Sequence, residues 1–93
     1  MGSDVQELIG KAAAALKAAG AREVYVFGSA ARGEFRSASD IDLAVSGLPP
    51  EDFIRAMSQA QDVLDCQLDL VDLDEPTPFT RYLKEEGELV RVL

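Results

Sequence analysis

The sequence predicts one α/β domain, of the α+β type, with a small mixed sheet and helices packed mainly on one face. Apolar residues at helical spacing open the chain, short β-branched and aromatic runs follow, and a second helical pattern separates those runs. The 93 residues are 47% hydrophobic, which suits a single modest core over residues 1–93. We expect no second substrate domain.

Charge and composition limit the function classes. The chain has 17 acidic and 9 basic residues, a formal net charge of -8, so DNA or RNA is not expected as the main partner. A lone cysteine, Cys66, cannot form an internal disulfide, and no N-terminal run resembles a signal peptide or a membrane span. We therefore expect a cytoplasmic protein without membrane contact. The absence of histidine excludes histidine acid–base catalysis, histidine metal ligation and a serine-histidine triad.

The first part of the chain predicts a helix followed by a strand. Apolar residues recur at helical spacing from Val5 to Ala19, and Gly20 is a typical helix stop. The residues Val24 to Phe27 are β-branched or aromatic, and Gly28-Ser29 ends the run. This profile is typical of a buried strand that leads into a tight turn.

The Gly28-Ser29 turn is the first functional indication. Glycine permits a close approach of a ligand to the backbone, and Ser29 offers a hydroxyl and an amide as donors to phosphate oxygens. A short helix beginning near Ser29 would aim further amides at a bound phosphate. The nearest cation, Arg32, is either a phosphate contact or the partner of Glu34 or of an aspartate in an ion pair.

A second strand, from Asp40 to Val45, carries two carboxylates. Side chains alternate along a strand, so Asp40 and Asp42 share one face, opposite the apolar residues between and after them. Two such carboxylates repel each other, and a divalent cation removes that penalty. Taken alone, an Asp-x-Asp pair is usually solvated and a Gly-Ser pair is usually only a turn. Their combination after a hydrophobic strand favours a site.

The next elements are a helix and a third strand. Gly47 to Pro49 break the second strand, and a helix opens at Pro50 or Glu51. Five apolar residues are expected to form its buried face: Phe53, Ile54, Met57, Ala60 and Leu64. The third strand is predicted from Gln67 to Leu73.

The third strand supplies a candidate third carboxylate. Asp69 and Asp72 lie on different faces, and Asp69 is flanked by apolar residues. Burial of a carboxylate without a partner would cost several kcal/mol, which favours a metal-linked role for Asp69. Asp72 is expected to end the strand in solvent, so the register favours Asp69.

The end of the chain predicts a helix and a short strand. After a loop at residues 74–78, Phe79, Tyr82 and Leu83 indicate a last helix that stops at Gly87. Apolar residues from Leu89 to Leu93 predict a terminal strand. If this segment were unpaired it would leave an apolar patch, and an oligomer through that patch is then expected.

These residues together carry a resemblance to a known family. The string Gly28-Ser29-Ala30-Ala31-Arg32-Gly33, followed by Ser39-Asp40-Ile41-Asp42-Leu43, resembles the signature of minimal nucleotidyltransferases, the MNT domains of the DNA polymerase beta-like nucleotidyltransferase superfamily. The flanking elements fall in the order of that family, so the resemblance covers most of the chain. It implies the nucleotidyltransferase fold, with Gly28 and Ser29 at the triphosphate and Asp40, Asp42 and Asp69 as catalytic ligands of two Mg²⁺ ions.

The resemblance also implies a reaction and a partner. The reaction is transfer of a nucleoside monophosphate, AMP from ATP as the first expectation, to an acceptor hydroxyl. Stand-alone members are often encoded beside a HEPN-domain toxin, which they bind as antitoxins and in some cases adenylylate on a tyrosine. The alternative is a non-catalytic nucleotide-binding or toxin-binding module that neutralises its partner by contact. Transfer to a small molecule such as an aminoglycoside usually needs added acceptor-binding structure.

Overall fold

A computed structural model describes residues 5–28, 41–64, 67–86 and 89–93. Its elements, in chain order, are α1 (Val5–Ala18), β1 (Glu23–Phe27), β2 (Ile41–Ser46), α2 (Pro50–Asp62), β3 (Leu68–Asp72), α3 (Pro78–Glu86) and β4 (Val90–Arg91). This order confirms the predicted α+β succession. The short helix predicted near Ser29 and the helix stop predicted at Gly87 lie outside the described residues.

The strands form one mixed sheet in the order β3-β2-β1-β4. β1 pairs antiparallel with both β2 and β4, whereas β2 and β3 are parallel. Parallel neighbours need a long crossover connection, and α2 provides it. The predicted mixed sheet is therefore confirmed, and β3 lies at one edge of it.

The two faces of the sheet are covered unequally. On one face, inward side chains of β1, β2 and β3 pack with α1 and α2 in the main core, whose members include Leu16, Val24, Ile41, Leu43, Val45, Ala60 and Leu68. On the other face, Phe27, Ala44 and Leu73 pack with Leu83 of α3 in a smaller cluster. Two of the three described helices thus share a face, as predicted, and strand alternation assigns Asp42 and Asp69 to the opposite face.

Small residues set the packing of α1 on α2. Ala12 and Ala13 of α1, and Ala56 and Ala60 of α2, are fully buried. Side chains of this size let two helices approach closely, so little room is left for a larger residue at the contact.

The prediction that Ile54 belongs to the buried face of α2 is wrong, because its side chain is 65% exposed. Ala56 and Ala60 are buried, Phe53 and Met57 are half-buried, and Leu64 is buried just beyond the helix. At about 100° per residue these positions form one stripe, and Ile54 lies about 100° from its centre. The apolar character of Ile54 is therefore not sufficient to predict that its side chain is buried.

The last helix begins in a reciprocal capping arrangement. The Thr80 N–H donates to Oγ1 of Thr77 at 3.1 Å, and the Thr77 N–H donates to Oγ1 of Thr80 at 3.1 Å. The buried Thr80 hydroxyl also donates to the Glu75 carbonyl oxygen at 2.6 Å. Pro78 occupies the first helical position, where its missing N–H costs nothing. These hydrogen bonds hold the turn that precedes α3 against the first turn of the helix.

The predicted terminal strand is confirmed as β4, which pairs Val90 with Val26. The Val92 N–H donates to the Val24 carbonyl oxygen at 2.8 Å, and Val92 packs against the main core. The segment is therefore paired, so the condition behind the predicted apolar patch is not met, although Val90 and Leu93 stay partly exposed. None of the helices described is long and apolar enough to cross a membrane.

Candidate functional site

The structure describes Gly28, Asp42 and Asp69 among the predicted site residues. Three further predicted residues, Ser29, Arg32 and Asp40, lie outside the described ranges. The geometry of the site is therefore built from the end of β1, the start of β2 and the start of β3.

The end of β1 lies against the carboxylate of β2. Phe27 pairs with Asp42 across the antiparallel ladder, and Gly28 follows with φ 76°. A Cβ built on Gly28 would lie 2.5 Å from Oδ2 of Asp42 and 3.4 Å from its Cγ. The left-handed backbone favours glycine here, and a Cβ at this position would also displace the Asp42 carboxylate.

Asp42 and Asp69 lie side by side. They are register partners in the parallel pair of β2 and β3, so their side chains project from the same face of neighbouring strands about 4.8 Å apart. Asp42 is half-buried and Asp69 is exposed. Two carboxylates in this arrangement repel each other and raise the local affinity for a cation.

The predicted burial of Asp69 is wrong, because its side chain is exposed. Its metal-linked role was inferred from the cost of burying a carboxylate, and that cost is absent for an exposed side chain on the edge strand β3. Adjacency to Asp42 is the argument that remains. Asp72 lies on the opposite face, half-buried, and its Oδ1 accepts the Asp74 N–H at 3.0 Å. This bond makes Asp72 a turn residue at the end of the strand.

The donor set fits a hard divalent cation. Carboxylate oxygens are the ligands that Mg²⁺ prefers, and it commonly uses one or two of them with substrate phosphates. Within the described ranges no group of three or more potential ligands lies close enough to hold a metal ion. Asp42 and Asp69 supply two of the three predicted ligands, and the third, Asp40, precedes β2 outside those ranges.

Aromatic residues on the same face support the turn, and sequence analysis gave them no such role. Phe27 is buried and meets Phe79 of α3 edge-to-face, with ring centroids 6.0 Å apart. Phe79 itself is 48% exposed. The sequence signal for this role is the aromatic residue directly before Gly28. A large apolar side chain at that position has to pack against another element on this face of the sheet.

A tyrosine on the same face as Asp42 forms a hydrogen bond with Glu23. The Tyr25 hydroxyl donates to Oε1 of Glu23 at 2.7 Å. This hydrogen bond, then burial and the negative charge of Glu23, raise the pKa of Tyr25 above 10.0, against a smaller opposing effect of Arg91. Tyr25 therefore stays protonated at neutral pH and acts as a donor to Glu23, which also pairs with Arg91 of β4.

Comparison with known proteins places the chain in a family. The family model for the polymerase beta nucleotidyltransferase domain matches residues 12–91. A crystal structure of a toxin-antitoxin with AMP-PNP has a TM-score of 0.70 at 22% identity, over 95% of this chain and 72% of that one. A candidate minimal nucleotidyltransferase has a TM-score of 0.70 at 29% identity, over 98% of this chain and 96% of the other.

A third structure is more distant. A candidate nucleotidyltransferase from Sulfolobus solfataricus has a TM-score of 0.52 at 20% identity, over 92% of this chain and 77% of that one. No curated protein matches the sequence. The family match spans Gly28, Asp42 and Asp69. The chain therefore belongs to the polymerase beta nucleotidyltransferase family and has the fold of minimal nucleotidyltransferases.

Proposed function

We propose that this protein transfers a nucleoside monophosphate, AMP from ATP in the first place, to a hydroxyl group of a partner protein. One observation carries the proposal: the Gly28 backbone lies against Asp42, whose register partner is Asp69. A glycine turn suited to phosphate and two carboxylates are then at one end of the sheet.

The turn would bind the triphosphate. Gly28 has no side chain to block a phosphate oxygen, and its left-handed backbone turns the chain sharply after β1. Ser29 would add a hydroxyl and an amide donor, and Arg32 would add a positive charge. The β- and γ-phosphates are the groups that these donors suit.

The carboxylates would hold two Mg²⁺ ions, with Asp40, Asp42 of β2 and Asp69 of β3 as ligands. Magnesium, when bound, neutralises the triphosphate and stabilises in-line displacement at the α-phosphorus. The acceptor oxygen forms a bond to that phosphorus while the bond to the bridging oxygen breaks, and pyrophosphate leaves. Asp69 is exposed and would take the proton of the acceptor hydroxyl.

The acceptor is proposed to be a protein. A transferase must hold donor and acceptor together, and a protein acceptor brings its own binding surface to the site. The net charge of -8 disfavours a nucleic-acid end and favours a basic protein surface. One structural neighbour is a toxin-antitoxin. We propose a HEPN-domain toxin as the partner, modified in the cytoplasm on tyrosine, serine or threonine.

A contact-only antitoxin is the second candidate. The similarity to a toxin-antitoxin structure favours it as much as it favours transfer. Such a protein would bind its partner, with or without nucleotide, and form no covalent product. The two functions differ in whether the partner gains mass.

Intact-mass spectrometry of the HEPN-type partner, after incubation with ATP and Mg²⁺, tests the proposal. The wild-type chain should add about 329 Da per event, the mass of an AMP group transferred with loss of pyrophosphate. Asp42→Asn should abolish the adduct, while Asp62→Asn, the same change at an exposed position on α2, should leave it. Free nucleosides, aminoglycosides and RNA should gain nothing. Tight binding of the partner without any adduct would contradict transfer and establish the contact-only function.

A further inference from the structure

An open groove of about 630 Å³ runs along the free edge of β3, and the proposed chemistry does not use it. Its walls are the first turns of α2 and α3, and its floor is the edge strand. The lining residues that matter here are Phe53, Ile54, Leu70, Val71, Thr77 and Phe79.

Backbone groups of β3 point into this groove. The Gln67 carbonyl oxygen accepts the Ile41 N–H at 2.9 Å, and the Leu73 N–H donates to the Val45 carbonyl oxygen at 2.8 Å, so both bonds are directed at β2. Because bonding direction alternates along a strand, the N–H and C=O groups of Leu68, Leu70 and Asp72 point outward.

Part of this outward row is already satisfied. The Leu68 N–H donates to Oε1 of Gln61 at 2.9 Å, and the Asp72 carbonyl oxygen accepts the Glu75 N–H at 3.1 Å. Within the described part of the chain, no hydrogen bond involves the outward N–H and C=O of Leu70 or the N–H of Asp72. An edge with such groups is a template for one short added strand.

Exposed apolar side chains flank this edge. Ile54 is 65% exposed on the α2 side and Phe79 is 48% exposed on the α3 side. Both line the groove, with Leu70 and Val71 between them. Apolar side chains that are grouped in this way mark an interaction surface, whereas single exposed ones do not.

The negative charge of the groove indicates which kind of segment can bind there. Its far end carries Asp72, Asp74 and Glu75, and its lining includes no lysine or arginine among the described residues. A second copy of the chain would bring the same acids together, with a net charge of -8 on each molecule. A segment with basic residues beside apolar ones complements the surface.

We propose that the groove binds an extended segment of the acceptor protein, which adds to β3 as a strand. Its apolar side chains pack against Ile54 where they project to the α2 face and against Phe79 where they project to the α3 face, and its lysine or arginine side chains lie beside Asp72 and Glu75. The identity of this occupant as the acceptor rests on the proposed function, whereas the chemistry of the groove does not.

The position of the groove suits an acceptor. Val71 on its floor and Asp69 are two residues apart on the same side of β3, a separation of about 7 Å. Phe79 in its wall packs on Phe27, which directly precedes Gly28. A segment held at this edge therefore brings the rest of its protein to the carboxylate end of the sheet.

The first test uses a peptide probe. A seven-residue peptide with blocked ends, in which two adjacent valines present one apolar side chain to each face and lysines occupy the other positions, is titrated into the full chain, and hydrogen exchange is followed by NMR. At saturation the Leu70 and Asp72 amides should exchange about tenfold more slowly. A matched peptide with glutamate in place of lysine should not protect them. Unchanged exchange with the basic peptide, protection at the Val90 edge instead, or slow exchange caused by self-association would overturn the proposal.

The second test uses matched variants. Ile54→Arg and Glu75→Lys should each weaken peptide binding about tenfold, by loss of an apolar contact or by charge repulsion. Val63→Arg, at the end of α2 and about 180° from Ile54 around the helix, and Glu7→Lys on α1 should not. All four replace exposed residues, so the fold should survive.

The outcomes separate this inference from the proposed function. If the basic peptide protects Leu70 and the wild-type chain adds AMP to no partner, the groove assignment stands and transfer is wrong. If AMP is transferred, and Ile54→Arg and Glu75→Lys change neither the affinity for the acceptor nor the yield of adduct, transfer stands and the groove assignment is wrong.

Discussion

Asp42 and Asp69 face the same side of the sheet as register partners on parallel neighbouring strands, and Asp69 is the more exposed of the two. Their charges are of the same sign and lie within the range where like charges on adjacent strands destabilise each other. A divalent cation bound to both carboxylates would offset this repulsion.

Asp69→Asn should abolish AMP transfer without lowering the stability of the fold. Removal of this charge relieves repulsion with Asp42, so the free energy of unfolding without metal should stay the same or rise by about 0.5 kcal/mol at low salt. The gain should shrink in 0.5 M salt, where the Debye length falls to about 4 Å. AMP transfer should be lost. Urea unfolding at both salt concentrations measures the first effect, with Asp62→Asn as the control; a strongly destabilised Asp69→Asn would mean that Asp69 holds the fold.

Gly28→Ala should damage the turn, because the new Cβ would meet Oδ2 of Asp42 at 2.5 Å in a backbone conformation with φ 76°. We expect a loss of about 1 to 3 kcal/mol of stability, together with weaker ATP binding. Gly10→Ala is the matched control, since nothing lies within 4 Å of a Cβ at this position in α1. It should stabilise the helix by about 0.5 to 1 kcal/mol. Equal effects of the two substitutions would show that Gly28 is not constrained by Asp42.

The sequence was sufficient to predict features that depend on local periodicity. The alternation in β2 and the abrupt end of β1 at Gly28 predicted which face carries Asp42 and where the chain turns. A strand has a side-chain period of two whatever its surroundings, so these predictions did not need the tertiary structure.

Features that depend on neighbours were not predictable in the same way. Asp69 is exposed because β3 is an edge strand, and strand order is set by packing and by the α2 crossover. Ile54 is exposed because the buried stripe of α2 runs through Ala56 and Ala60, and Ile54 lies to one side of that stripe. The Ile54 error comes from treating residue type as a measure of burial, and the Asp69 error comes from treating apolar sequence neighbours as such a measure. In both cases the surface that packs against the residue decides its burial.

Tyr25→Phe should change how stability depends on pH. The hydrogen bond to Glu23 raises the pKa of Tyr25 in the folded protein above 10.0, so the folded state favours the protonated phenol. The resulting stabilisation is fully present below pH 10 and is lost as the pH rises through the folded pKa. The difference in Tm between wild type and Tyr25→Phe should therefore be constant from pH 7 to 9 and should decrease at higher pH. A difference that is independent of pH up to 11 would exclude this role of the hydrogen bond.

ATP should bind only together with a divalent cation. A triphosphate placed at Gly28 faces Asp42 and Asp69 directly, and without a cation this arrangement adds negative charge to a site that already repels itself. Calorimetry should show binding with Mg²⁺ and little with EDTA, and ATP with Mg²⁺ at 100 times Kd should stabilise the fold by about 2.7 kcal/mol. Asp62→Asn should bind as the wild type does, whereas Asp42→Asn should lose most of the Mg²⁺-dependent affinity. Equal affinity for ATP with and without Mg²⁺ would show that the carboxylates do not act through a metal.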